Sequence, residues 1–157
     1  MCVPWCQQWQ AGVLRKVTAT LIGMIGIAGS GLVIGWPYIR MEFADSAYYI
    51  RQNHREYEYY TPELLKKMPE VSEDYKFGFG RITGTEANVF TVKFYGVSDT
   101  RSIRDYLKSE GYEPQASCDV EAQCWKSRAT HDEVTVGNLH SQTGVFVQVY
   151  RRLYSGQ

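Results

Sequence analysis

Hydrophobic positions form one continuous run near the N-terminus and then fall into shorter, periodic groups. Residues 17–39 carry no charge, and at about 1.5 Å per residue they are long enough to cross a bilayer as a helix. Arg15 and Lys16 precede this run, whereas Trp36 and Tyr38 lie near its far end. Because basic residues favour the cytoplasmic side and aromatic residues the interface, we expect a single-pass transmembrane helix with a cytoplasmic N-terminus.

A cleaved signal peptide is the alternative to a retained helix, because a basic segment before an apolar run occurs in both. The run is longer than the apolar region of a typical signal peptide. Ala44 and Ala47 are three positions apart, which does not make a small-x-small cleavage site. A lipoprotein would need a cysteine directly after the apolar run, and Cys2 and Cys6 lie before it.

The apolar run also contains Gly31 and Gly35 in a G-x-x-x-G arrangement. This spacing lets two helix backbones approach closely, and it predicts a packing partner in the bilayer, with an oligomer as one outcome. The alternative is that these glycines only reflect the abundance of glycine in membrane helices. Pro37 predicts that the helix ends or kinks near its far end.

The next segment has larger apolar or aromatic residues at spacings of three and four over residues 43–60, which predicts a helix leaving the membrane. Thr61, Pro62 and Glu63 follow as an N-cap, a first helical position and an acidic first turn, so we expect a short second helix that ends before Pro69.

These patterns divide the chain into four parts. We expect a cytoplasmic tail at residues 1–16, a transmembrane helix at 17–39, a helical juxtamembrane connector at 40–74 and an extracytoplasmic domain at 75–157.

The predicted domain contains strands that alternate apolar and polar positions. Residues 76–83 and 89–95 are rich in aromatic and β-branched residues around a glycine-containing turn, so they predict a hairpin. In the second of these strands Phe90, Val92 and Phe94 share the better core face, opposite Val89, Thr91, Lys93 and Tyr95. In the last strand, Val145, Val147 and Val149 face one way and Phe146, Gln148 and Tyr150 the other.

Two glycines, Gly78 and Gly80, interrupt the first strand of this hairpin. Glycine inside a strand marks either a bulge or the close approach of another backbone. A phosphate-binding loop would need a helix directly after the glycines, which this pattern lacks.

Between the predicted strands, residues 99–111 form the clearest helix of the domain. Ser98 or Asp99 is placed to cap it, Ile103, Tyr106 and Leu107 form its apolar face, and Gly111 provides the stop. The predicted fold class is therefore α+β: an N-terminal transmembrane helix, then a small domain with an antiparallel sheet packed on one main helix.

The strand from Val89 into this helix and its glycine–tyrosine end at Tyr112 resembles a half-repeat of SPOR peptidoglycan-binding domains over about 25 residues. The resemblance implies peptidoglycan or other ligand binding. The second half-repeat lacks its helix, because residues 134–145 have the pattern of a hairpin.

Cys118 and Cys124 lie on the expected extracytoplasmic side, where disulfides persist, and we expect a structural disulfide between them. A metal site is disfavoured because the spacing is not the C-x-x-C of structural zinc sites. Lysine plus arginine equals aspartate plus glutamate, 17 each, so net charge does not favour nucleic acid as a partner.

Chemistry-bearing motifs are sparse. His131, followed by Asp132 and Glu133, could form a base with its orienting acid, but a polar loop explains the same residues. We therefore predict no catalytic residue, no metal site and no cofactor.

The function that these features favour is a membrane-anchored periplasmic protein-binding module in the bacterial inner membrane. Its partner would be another envelope or periplasmic protein, with the chain acting as an accessory or subunit of a complex, or as an inhibitor of the immunity type. SPOR-like ligand binding is the alternative. The candidate contact residues are exposed-face tyrosines and helix cations: Tyr48, Tyr49, Tyr57, Tyr59, Arg101, Arg104 and Lys108.

Overall fold

A computed structural model of the chain describes residues 5–118 and 122–153, with backbone only for residues 5–17, 19 and 28. The chain forms two compact units, Met1–Ala44 and Asp45–Gln157. Helix α1 (Trp5–Glu42) makes up nearly all of the described part of the first unit. Pro37 lies inside it, so the helix does not end there, and the segment Thr20–Glu42 is long and apolar enough to cross a membrane.

The second unit is an α+β fold built on a seven-stranded antiparallel sheet, which confirms the predicted class. The strands lie in the order β1-β2-β3-β7-β6-β5-β4. Its elements in chain order are β1 (Ser46–Tyr49), α2 (His54–Tyr60), α3 (Glu63–Lys66), β2 (Tyr75–Ile82), β3 (Ala87–Tyr95), α4 (Arg101–Ser109), β4 (Tyr112–Pro114), β5 (Gln123–Ser127), β6 (Glu133–Asn138) and β7 (Gly144–Arg152).

The sheet buries one face, and the predicted alternation of β3 and β7 is confirmed. Phe90 pairs with Val149, and Val92 with Val147, so the apolar positions of the two central strands lie on the same face. All of them are buried, and Val147 and Val149 are fully inaccessible. Each such side chain contributes about 1.5–3 kcal/mol when it leaves water, so this face contains the main core.

Helix α4 does not cover the core face alone. The ring of Tyr57 in α2 packs edge-on against Phe77, and that of Tyr60 stacks on Phe79, with ring centroids 5.2 and 4.5 Å apart. The Tyr106 hydroxyl of α4 donates a hydrogen bond to the Leu64 carbonyl at 2.9 Å, which links α4 to α3. Burial raises the pKa of Tyr106 to about 12, so this donor keeps its proton at physiological pH.

The predicted helix over residues 43–60 is wrong in its first half. Ser46–Tyr49 forms the edge strand β1, which pairs antiparallel with β2. Its side chains alternate, with Tyr49 buried and Tyr48 exposed. The helix begins only at His54. Pairing with β2 satisfies the backbone hydrogen-bonding groups of β1. The free energy gained from this non-local pairing outweighs the local preference that the helical spacing indicates.

Thr61 was predicted to cap the second short helix, and this is also wrong. Thr61 follows α2 as its C-cap, and Pro62 precedes α3. The Thr61 hydroxyl instead donates to the Tyr49 hydroxyl at 3.0 Å inside the core. Burial raises the pKa of Tyr49 to about 12, although the Thr61 hydrogen bond opposes this shift. Tyr49 therefore ties β1 to the segment between α2 and α3.

The hairpin and the main helix form where they were predicted. Pairing between β2 and β3 runs without interruption from Tyr75 to Ile82, so the glycines of β2 do not mark a bulge. Gly111, with φ +81°, follows α4 in the left-handed region that favours glycine. The N-cap of α4 is Thr100 rather than the predicted Ser98 or Asp99. The Asp99 carboxylate still accepts a hydrogen bond from the Arg101 backbone N–H at 2.9 Å and so satisfies one of the free donors at the start of α4.

One ion pair is partly buried on the covered side of the sheet. The guanidinium of Arg151 donates two hydrogen bonds to the Asp132 carboxylate, at 2.9 and 2.6 Å, and lies over the Phe90 ring. The Asp132 side chain is 7% exposed. A carboxylate removed from water in this way needs its partner, because an unpaired buried charge is strongly unfavourable.

Replacing Asp132 tests this contact. We expect Asp132→Asn to lower the free energy of unfolding by about 1–3 kcal/mol, because the forked charge-assisted pair is lost. Urea denaturation of the full chain in detergent micelles measures the change. The matched control is Asp105→Asn, which removes an exposed acid paired with Lys108 and should change stability by less than about 0.5 kcal/mol. Equal effects of the two variants would contradict the structural role of Asp132.

Candidate functional site

The second face of the sheet, here called the open face, is the candidate site. The described helices of the second unit pack on the core face, and the open face carries the alternate residues of each strand. These residues are only half-buried or exposed in most positions. Strand registers place on it, among others, Ser46, Tyr48, Lys76, Gly78, Gly80, Val89, Thr91, Lys93, Tyr95, Lys126, Glu133, Thr135, Gly137, Phe146, Gln148 and Tyr150.

A groove of about 500 Å³ lies on the open face along β2, β3 and β7. Aromatic side chains line its sides, among them Tyr48, Tyr95 and Phe146. Thr91 and Gln148, which are cross-strand partners, lie in its middle. Neither makes a side-chain hydrogen bond within the part of the chain that the structure describes. The groove therefore combines apolar walls with unused polar groups.

Three glycines of the open face differ in what covers them. The Tyr48 ring lies over Gly78, at 3.5 Å from the place where a Cβ would sit, and the Phe146 ring lies over Gly137, at 2.7 Å from such a Cβ. Gly80 differs, because a Cβ there would meet nothing within 4 Å. Two glycines are thus covered by aromatic rings, and Gly80 leaves backbone uncovered on the groove floor.

Charge is distributed unevenly over the open face. Lys126 and Glu133 are direct cross-strand partners and form an ion pair at 3.0 Å. Lys76 and Lys93 are also direct cross-strand partners, but they carry the same charge. Among the described residues, no carboxylate lies within 4 Å of either lysine. Like charges placed directly opposite are unfavourable in a sheet, so the groove presents an uncompensated positive end.

The predicted contact tyrosines separate into surface and core residues. Tyr48 is 82% exposed and lines the groove. Tyr59 is 41% exposed and packs edge-on against Tyr60. Tyr49 and Tyr57 are buried in the core, because β1 and α2 both turn these side chains toward Phe77. A contact residue must lie at the surface, so Tyr49 and Tyr57 do not fit the predicted contact role.

The predicted basic residues of α4 border a second cleft, of about 680 Å³, between α4 and the β4–β5 segment. Arg101 forms a forked ion pair with Asp99, and Lys108 lies 3.5 Å from Asp105. Hydrogen bonds from Arg101 lower the pKa of Asp99 to about 2, so this acid stays ionised at physiological pH and remains paired with Arg101. Arg104 is half-buried at the same cleft. Local acids thus reduce the positive charge of this helix.

The predicted disulfide is present beside this second cleft. Cys118 and Cys124 are joined, with Cα atoms 5.5 Å apart. The intervening residues 119–121 lie outside the described part of the chain. The predicted packing glycines of α1, Gly31 and Gly35, have open space around them, since an added Cβ would meet no atom within 4 Å.

The polar stretch around His131 forms ion pairs rather than a base with an orienting acid. Asp132 binds Arg151, and Glu133 binds Lys126. Within the described residues, no group of three or more His, Cys, Asp or Glu side chains could hold a metal ion.

The groove residues Lys76, Lys93 and Phe146 were missed as site residues from the sequence. The strand alternation correctly placed Lys93 and Phe146 on the face opposite the core. That alternation was the sequence feature from which the groove residues could have been found. In comparisons with known proteins, no family model, curated protein or solved structure matches the chain.

The glycines of the open face provide a matched pair of substitutions. We expect Gly80→Ala to raise the free energy of unfolding by about 0.5–1 kcal/mol, because alanine fits the strand better and meets no neighbour. We expect Gly137→Ala to lower it by about 1–3 kcal/mol, because the new Cβ displaces the Phe146 ring. Chemical denaturation of both variants checks the opposite signs. A destabilising Gly80→Ala would show that the floor of the groove is not open.

Proposed function

We propose that the protein is a single-pass protein of the bacterial inner membrane that binds another protein through the open face of its periplasmic unit. The observation that carries this proposal is the groove on the open face, where aromatic side chains, unused polar groups and uncompensated lysines occur together. Aromatic residues are enriched in protein interfaces. A binding role requires such a surface, whereas the packing of the core does not depend on it.

The apolar surface of α1 supports the membrane anchor. Ile22, Ile27 and Val33 are each at least 70% exposed, which suits a lipid environment far better than water. The disulfide supports an oxidising compartment for the second unit. Together with Arg15 and Lys16 before the span, these features favour a cytoplasmic N-terminus and a periplasmic C-terminal unit.

Two roles fit this proposal: an accessory or subunit of an envelope complex, and an inhibitor of the immunity type. SPOR-like binding of peptidoglycan is the second candidate. The strand–helix–Gly111–Tyr112 step that resembles SPOR domains is present as β3, α4 and β4. The region between β6 and β7 has no helix, so the resemblance stays limited to one half-repeat.

Thiol labelling tests the proposed topology. In intact cells we expect Cys118 and Cys124 to resist a membrane-impermeant maleimide until a reductant opens the disulfide. The variant Cys118→Ser should leave Cys124 reactive without reduction. Mass spectrometry identifies the labelled peptides. Labelling of wild-type Cys124 before reduction, or only after the cells are permeabilised, would contradict the disulfide or the orientation.

Photocrosslinking tests the binding surface. A photoreactive phenylalanine analogue at Gln148, in the full chain in intact cells, should form an adduct with one protein, because this position lies in the groove. The matched control is the same analogue at Glu63 of α3, whose side chain is 71% exposed outside the open face. Adducts at both positions, or at neither, would argue against the open face. Retention on purified peptidoglycan without a protein adduct would favour the second candidate.

A further inference from the structure

The floor of the groove is backbone rather than side chain at one end. Gly80 lies in the interior of β2, where glycine is less favourable than alanine by about 0.5–1 kcal/mol. No bulge and no positive φ requires glycine at this position, since the pairing with β3 is regular and φ there is not positive. A glycine inside a regular strand often marks a site that a ligand or another backbone approaches closely.

The other end of the groove is cationic. Lys76 and Lys93 face each other across β2 and β3, and the Lys76 ammonium lies 6.0 Å from the centre of the Tyr95 ring. The pair Lys126 and Glu133 occupies an equivalent cross-strand position and is complementary. A carboxylate from an occupant, placed between the two lysines, would turn their repulsion into two attractive contacts.

The distance between the two ends corresponds to a short extended peptide. From Lys76 to Gly80 the strand advances four residues, or about 13 Å. Thr91 and Gln148 lie between the ends and offer hydrogen-bonding groups that the described chain does not use. A peptide backbone offers donors and acceptors along its whole length, whereas a lipid offers them only in its headgroup. The lining therefore favours a peptide over a lipid.

From these three features we propose that the groove binds an extended acidic segment of the partner protein, with an Asp or Glu side chain held between Lys76 and Lys93 and its backbone close to Gly80. This inference rests on the proposed function, because it names the chemistry of the partner at the same open face.

Defined peptides test the proposal on the full chain in phosphatidylcholine nanodiscs. One probe is a pool of capped hexapeptides made from Asp, Glu, Val, Thr and Tyr, and the second pool contains Lys and Arg in place of the acids. We expect the acidic pool to shift the amide NMR signals of Gly78 and Gly80 and to bind more weakly as salt is raised. The basic pool should leave these signals unchanged.

Variants make the test specific to the groove. The double variant Lys76→Glu, Lys93→Glu should weaken binding of the acidic pool by about tenfold or more. Lys67→Glu with Arg128→Glu reverses the same number of charges at exposed positions outside the groove and should bind like the wild type. Gly80→Val should also abolish binding, because its side chain fills the floor, while the amide spectrum stays that of a folded sheet.

Several results would overturn the proposal. These are equal binding of the two pools, an equal loss of binding with Lys67→Glu and Arg128→Glu, or no shift at Gly80 with the acidic pool. The same shifts produced by phosphatidylglycerol nanodiscs without peptide would assign the groove to anionic lipid instead.

The crosslink at Gln148 separates this inference from the proposed function. An adduct that survives Lys76→Glu with Lys93→Glu would refute the acidic segment and leave protein binding intact. An adduct lost in that variant, but kept with Lys67→Glu and Arg128→Glu, would support the acidic segment. If the wild-type chain forms no adduct, the proposed function fails, whatever the peptides do.

Discussion

Side-chain alternation along β3 and β7 gives the sheet one apolar face, which must be buried, and one mixed face, which can stay in contact with water. Phe90 pairs with Val149 and Val92 with Val147, so a one-residue slip of register would expose the whole central core. The registers of β2 and β6 follow from these two strands, and the helices can pack only on the apolar side. The same constraint keeps the open face outside the main core, so its residues can be polar or charged.

The elements with a strong local signal could be predicted, and those that depend on distant pairing could not. Strands β3 and β7 alternate over nine residues each, and α4 has an apolar face and a glycine stop. Strand β1 has only four residues, and its sequence also satisfies helical spacing. What makes it a strand is the ladder with β2 and the hydrogen bond between Thr61 and Tyr49, and neither is visible locally.

The candidate site could be predicted only as separate residues. Gly78 and Gly80 were recognised as unusual for a strand, and Tyr48 as a contact residue, but the register alone places Tyr48 over Gly78. The same is true of Phe146, whose ring covers Gly137 on the neighbouring strand. An aromatic ring over a cross-strand glycine shields the exposed backbone and recovers packing area that the glycine gives up. Gly80 has no such ring in the described chain, which distinguishes it from the two other glycines.

The ion pairs of the sheet point to the opposite end of the same groove, independently of the glycines. On the covered side the acid Asp132 is paired with Arg151, and on the open face Lys126 is paired with Glu133. One acidic residue at either lysine position would make the pair Lys76 and Lys93 complementary in the same way. A like-charged cross-strand pair disfavours folding by up to about 1 kcal/mol, which is small beside a typical stability of 5–15 kcal/mol. The fold can therefore tolerate this repulsion while the chain is unbound, and an acidic occupant would remove it on binding.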